Sequence, residues 1–83
     1  MHGASFDYDA PADLFPSRSR RGNRPVGYRR FGTAAEAIRF AIEQMPGELL
    51  FGTVLEVKEE RLDGVRIREL YDSAAYPLSR RQI

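Results

Sequence analysis

The chain has 83 residues, 42% of them hydrophobic, with 13 Lys and Arg against 12 Asp and Glu (net charge +1) and no cysteine. That length supports one small domain, and without cysteine it excludes disulfides, zinc–thiolate centres and thiol catalysis. No apolar run approaches the roughly 18 residues of a membrane span, and a domain this small without disulfide staples points to the reducing cytoplasm.

Residues 1–16 carry Asp7, Asp9 and Asp13 and no Lys or Arg. Met1 to Asp7 has neither the basic nor the apolar region of a signal peptide, so none is expected. Phe6 and Tyr8 alternate with Asp7 and Asp9, the pattern of a short edge strand. Pro11 fits the first turn of a brief helix through Leu14 and Phe15, closed by Pro16.

Residues 17–32 carry six arginines, Arg18, Arg20, Arg21, Arg24, Arg29 and Arg30, and no acid. Up to Pro25 the arginines are interleaved with Ser, Gly and Asn, which reads as a loop or arm. The chain thus divides into an acidic, then Arg-rich lead-in over 1–25 and a small domain over 26–83. Twelve of the thirteen basic residues are Arg. A GC-rich genome accounts for that ratio, but not for the clustering.

Val26 to Phe31 alternates as a short strand, with Val26, Tyr28 and Arg30 on one side and Gly27, Arg29 and Phe31 on the other. Thr33 with Glu36 three residues on is a capping box. It opens a helix from about Ala34 to Met45, whose apolar stripe is Ala34, Ala37, Ile38, Ala41, Ile42 and Met45. Glu36, Arg39 and Glu43 line the opposite side, spaced to pair. Phe40 lies on the flank of the stripe, and Pro46-Gly47 ends the helix.

Leu49 to Lys58 reads as a central strand, because apolar residues occupy both of its faces early on. Glu59-Glu60-Arg61 leads out to solvent. Two readings compete for the next stretch. Asp63-Gly64 is a strong two-residue hairpin signal. Alternatively Asp63 caps a helix whose stripe is Ile67, Leu70, Tyr71 and Ala74. The helix, from about Gly64 to Ala74, keeps charges off the apolar side and is preferred. Tyr76 and Leu78 then anchor an extended tail, and Arg80 and Arg81 end it in solvent. The fold expected is α+β, in the order (β)-β-α-β-α, with two or three strands covered by two helices. The β–α–β unit is compatible with a parallel crossover or with antiparallel pairing.

Little in the chain carries chemistry. The single histidine, His2, lies beside the N-terminus, where a base or metal ligand is poorly held. Gly22, Gly27 and Gly32 match neither phosphate-binding glycine motif. Glu56, Glu59, Glu60, Asp63 and Asp72 would need burial to act as acids or bases, and Glu59-Glu60-Arg61 reads as a solvated strand end. No enzymatic activity, cofactor, metal or small-molecule substrate is expected.

The basic segment carries the sharper hypothesis. Arg18, Arg20, Arg21, Arg24, Arg29 and Arg30 suit backbone phosphates, and Tyr28 and Phe31 beside Arg29 and Arg30 suit stacking on unpaired bases. Asp7, Asp9 and Asp13 are candidates to fold back and neutralise them. A sequence pI near 8.2 is low for a nucleic-acid footprint. A ribbon–helix–helix DNA binder also places a basic strand before a capped helix, but it needs a second long helix where Pro46-Gly47 gives way to a strand pattern. The leading expectation is a non-enzymatic module acting through a protein partner or as a homodimer. RNA or DNA binding through Arg18–Arg30 is the alternative.

The stretch Gly27-Tyr28-Arg29-Arg30-Phe31, followed by Thr33 to Glu43, resembles a family of short uncharacterised bacterial proteins. Ile67-Arg68, Leu70-Tyr71 and Tyr76-Pro77-Leu78 are similar to the same group, so the likeness spans most of residues 6–81. It implies a bacterial, cytoplasmic setting and no particular activity, cofactor or partner.

Overall fold

Ala12–Phe15 (β1) alternates two buried residues, Ala12 and Leu14, with the more exposed Asp13 and Phe15. Helices cover that face, and the backbone groups along both edges of so short a segment need strands on both sides of it. The computed structural model, which describes residues 6–17 and 27–79, supplies them. Arg29–Phe31 (β2) pairs with β1 on one side and Val54–Val57 (β3) on the other, both antiparallel. Glu60–Leu62 (β4) completes the sheet in the order β2-β1-β3-β4. With the helices Ala34–Arg39 (α1) and Gly64–Asp72 (α2), the fold is α+β.

Both expectations for the lead-in are corrected. Residues 12–15 form a strand, not a helical turn after Pro11, because cross-strand burial of Ala12 and Leu14 outweighs one turn of helix. Phe6 and Tyr8 are not a strand but open a turn, in which Asp7 accepts the backbone N–H of Asp9 at 3.0 Å. The turn aims carbonyls at the start of α1. Ala34 N–H donates to the Ala10 carbonyl at 2.6 Å, and Ala35 N–H to the Tyr8 carbonyl at 3.0 Å. Two of the donors that a helix N-terminus leaves open are satisfied this way. One sheet therefore draws strands from both sides of residue 25.

The capping box signal holds at its first half: the Thr33 hydroxyl accepts Glu36 N–H at 3.2 Å. The last turn widens into a π-helical turn over Phe40–Gln44, closed by Met45 N–H to the Phe40 carbonyl at 3.1 Å. Ala34, Ala37, Ile38, Ala41 and Met45 are buried as the stripe predicts; Ile42 is half-buried and Ala35 joins the core. Because β1 sits between β2 and β3, the connection through α1 is a crossover between two parallel, non-adjacent strands, and every adjacent pair is antiparallel.

The strand expected from Leu49 starts later. Gly47–Gly52 is a 3-10 helix and only Val54–Val57 is extended. Leu49 is buried there, and its carbonyl accepts the hydroxyls of Thr53 and Ser17, each at 2.7 Å. Thr53, fully buried, also accepts the backbone N–H of Ser17 at 3.2 Å. These bonds hold the segment curled rather than extended.

Glu59-Glu60-Arg61 is exposed as expected, but the chain does not leave the sheet there. Leu62 is buried opposite Leu55, which makes an edge strand of Glu60–Leu62. The hairpin turn falls at Lys58–Glu59, where Lys58 takes φ 57°, and not at Asp63-Gly64. Asp63 instead caps α2, accepting Arg66 N–H at 2.9 Å, so the preferred helix is present, ending at Asp72. Tyr76 is buried and Leu78 packs against the core, as the tail reading expects.

All buried strand residues share one face. Leu14, Leu55, Ile38 and Ile67, each with no exposed surface, join sheet and helices in one core. An aromatic run backs it: Phe6, Tyr8, Tyr76 and Tyr71 follow one another with centroids 5.0, 5.7 and 5.2 Å apart. The Tyr76 hydroxyl donates to the Ala35 carbonyl at 2.8 Å, and that of Tyr8 to the Leu70 carbonyl at 2.9 Å.

Candidate functional site

β2 divides the described part of the basic segment between two surfaces, because successive strand residues point to opposite faces. Arg30 and Tyr28 fall on the face away from the helices, Arg29 and Phe31 on the helix side. The sides of Tyr28, Arg29, Arg30 and Phe31 are those expected from alternation; Val26 lies outside the described residues, and the strand covers only Arg29–Phe31 of the expected stretch. Arg18, Arg20, Arg21 and Arg24 lie outside the described residues.

On the helix-free face, Asp13 is the hub. Arg30 Nη1 reaches both of its carboxylate oxygens, at 2.9 and 3.0 Å, and the Tyr28 hydroxyl donates to one of them at 2.7 Å. The Tyr28 hydroxyl, and after it the Arg30 guanidinium, hold the Asp13 carboxyl below its ordinary 3.8. The same bond to the Asp13 carboxylate pushes the Tyr28 phenol above its ordinary 10.0. The pairing register extends this contact into a row across all four strands: Arg30, Asp13, Glu56, Arg61. Arg61 closes it with an ion pair to Glu56 at 2.9 Å. The row has positive ends, negative centres and no net charge.

A second row on the same face is apolar. Phe15 lies opposite Val54, and its ring packs against Tyr28 with centroids 5.2 Å apart. Phe15 is 39% exposed and Tyr28 56%. Both residues border the connection that carries Arg18 to Arg24 in sequence.

Arg29 lies on the other surface. Opposite buried Leu14 but at the sheet edge, it places its guanidinium 4.6 Å from the centroid of Phe40 and 5.5 Å from that of Phe31. Such a stack retains the charge while covering two rings. Of the three aspartates expected to neutralise the arginines, Asp13 alone pairs with one among the described residues. Asp7 binds Lys58 at 2.9 Å, which lowers its carboxyl below 3.8. Asp9 makes no ion pair among the described residues.

The signal of Phe15 and Val54 is alternation with buried Leu14 and Leu55; at Val54 it is legible within the Leu49–Lys58 strand pattern, and at Phe15 the helix-start pattern over 11–15 overrides it. Phe40 is half-buried, as its place on the flank of the stripe predicts, but nothing local announces Arg29 as its partner. Phe51, 77% exposed beside the start of α2, sits in the 3-10 helix and not on the strand face that its alternation predicts.

Among the described residues, no three His, Asp or Glu side chains gather as a metal site, and no helix is long and apolar enough to cross a membrane. Comparison with known proteins finds no matching family model and no significant match among curated proteins or solved structures.

Proposed function

We propose that the protein is a non-enzymatic binding module that holds a protein partner against the helix-free face of its sheet, in the bacterial cytoplasm. One observation carries this reading: the exposed Phe15–Tyr28 ring pair, continued by Val54, lies beside a row whose charges are already neutralised in pairs. Aromatic side chains in a patch without net charge suit the buried centre of a protein interface, where unpaired charges are costly. A phosphate would have to compete with Asp13 for Arg30. Self-association is the weaker variant, because two copies stacked in register about a two-fold axis would set like charges of the row opposite each other.

Comparative affinity capture tests the reading. The wild-type chain should retain a discrete protein from extracts of its own cells, and the Phe15→Ser, Tyr28→Ser double variant should lose it. Retention of the same set by both would overturn the proposal.

The nucleic-acid alternative retains one supporting observation: four arginines without an acid join β1 to β2 in sequence, next to the exposed ring pair. Fluorescence anisotropy with single- and double-stranded oligonucleotides at rising salt separates the two. RNA or DNA binding gives a log–log slope of roughly −0.9 per phosphate contacted on duplex DNA. The protein-partner reading expects no binding to report.

A further inference from the structure

We infer that the outer edge of β2, with the groove between β2 and α1, accepts an extended acidic segment of a partner protein by strand addition. The inference rests on the protein-partner reading and adds to it a second surface and the chemistry of its occupant.

β2 is an end strand, paired only with β1 among the described residues. The backbone groups on its other side are a ready template for another extended chain. Directly beside that edge lies a cavity of about 270 Å³, lined by Phe31, Glu36, Arg39, Phe40 and Gln44. The Phe31 and Phe40 rings, 5.5 Å apart, give it an apolar wall. Two cations flank the rings: Arg39 lines the cavity and Arg29 stacks over both. Neither Arg29 nor Arg39 makes an ion pair among the described residues, whereas Arg30, Arg61, Arg66 and Arg68 each have a carboxylate. Against two unpaired cations the cavity wall offers one carboxylate, Glu36.

The spacing of β2 sets the sequence of the occupant. Arg29 and Phe31 are two residues apart on the helix side, so a strand laid alongside presents side chains to them at the same interval. One must be apolar and large enough to enter the groove beside Phe31 and Phe40. The other, two positions away, must be acidic to meet Arg29 and Arg39. A second copy of this chain fits poorly in the register centred on Arg30, which sets Arg30 opposite Arg30.

The test uses the full chain, isotope-labelled, titrated with a short fluorescein-labelled peptide of threonines carrying one Glu and one Phe two positions apart. The expected result is saturable binding, with amide shifts confined to β2 and to residues 36–44. Changing the peptide Glu to Lys should weaken binding by roughly tenfold, as should Arg39→Glu. The Arg39→Glu protein should then prefer the Lys peptide, and Arg39→Gln, which leaves one cation, Arg29, against one carboxylate, Glu36, should bind both peptides alike. No shift at millimolar peptide overturns the inference, as does an unchanged preference in Arg39→Glu. Shifts confined to Phe15, Tyr28 and Val54 overturn it while leaving the helix-free-face reading intact. Shifts at β2 and α1 caused by an oligonucleotide and not by the peptide also overturn it.

Discussion

The Tyr28 hydroxyl donates to the Asp13 carboxylate at 2.7 Å, on the same oxygen that Arg30 reaches at 2.9 Å. This one carboxylate ties the residue before β2 to the adjacent strand and removes an arginine from the free basic surface. What first looks in the sequence like a row of six available cations is, in its described part, an ion pair and a ring stack.

The bond has a spectroscopic consequence. Because the Tyr28 phenol is raised above 10.0 by the carboxylate, Asp13→Asn should bring one tyrosine titration back towards that value in an ultraviolet absorbance titration. The linkage has opposite signs at the two ends of the pH scale. The lowered Asp13 carboxyl contributes stability that is complete above its ordinary 3.8 and is lost as pH falls through the lowered value. The raised Tyr28 phenol contributes stability below 10.0 that is lost as pH rises through the raised value. The Asp13→Asn protein should therefore show a shallower acid limb in chemical denaturation from pH 5 to 2, and no change in slope near neutrality.

Gly64 opens α2 against the backbone of the 3-10 segment. A Cβ there would meet the Leu50 carbonyl oxygen at 2.1 Å and its carbon at 2.8 Å. Neither is the flexible end of a side chain, so the helix or the segment must move. In an open helix, Gly to Ala gains up to about 1 kcal/mol. Here Gly64→Ala should destabilise instead, by an amount at the upper end of the roughly 1–3 kcal/mol typical of overpacking. Urea denaturation gives the sign directly.

Lys58 is the opposite case. It adopts φ 57° at the first position of the β3–β4 turn, a conformation costing an L-residue roughly 1–2 kcal/mol. Glycine escapes that cost but has more unfolded-state freedom to lose. Lys58→Gly should therefore raise the melting temperature by a few degrees, even though it removes the exposed pair with Asp7. A lower melting temperature would show that the turn is not under that strain.

β1 supplies the strand between β2 and β3, and the turn before it supplies acceptors for the first N–H groups of α1. A chain beginning at Val26 would leave β2 and β3 with no partner between them and expose the inner face. It should lack the dispersed amide spectrum of the full chain. An intact spectrum from residues 26–83 would contradict the central place of β1.

The elements legible in the sequence are those with two independent signals. α1 combines a cap at Thr33 with a stripe from Ala34 to Met45, and α2 combines Asp63 with Ile67, Leu70 and Tyr71. β1 and β4 have one signal each, a single alternation over four and three residues, and in Pro11-Ala12-Asp13-Leu14 it is overridden locally by a helix-start pattern. Leu49-Leu50-Phe51 looks like a strand because its curl depends on bonds from Ser17, more than 30 residues earlier. The same division holds at the site. The sides taken by Tyr28, Arg29 and Arg30 follow from period two, and Asp13 was foreseen as a partner. Its choice of Arg30, and the stack of Arg29 on Phe40, depend on which strands become neighbours.

The most direct measurement is photo-crosslinking in living cells, with a benzoyl-phenylalanine placed in turn at positions 15, 28 and 68. Position 68 lies on the exposed side of α2, away from the sheet. The proposed function predicts that probes at 15 and 28 form an adduct with the same discrete protein, and that the probe at 68 does not. Adducts to nucleic acid alone from 15 and 28, or the same protein adduct from all three positions, would contradict it.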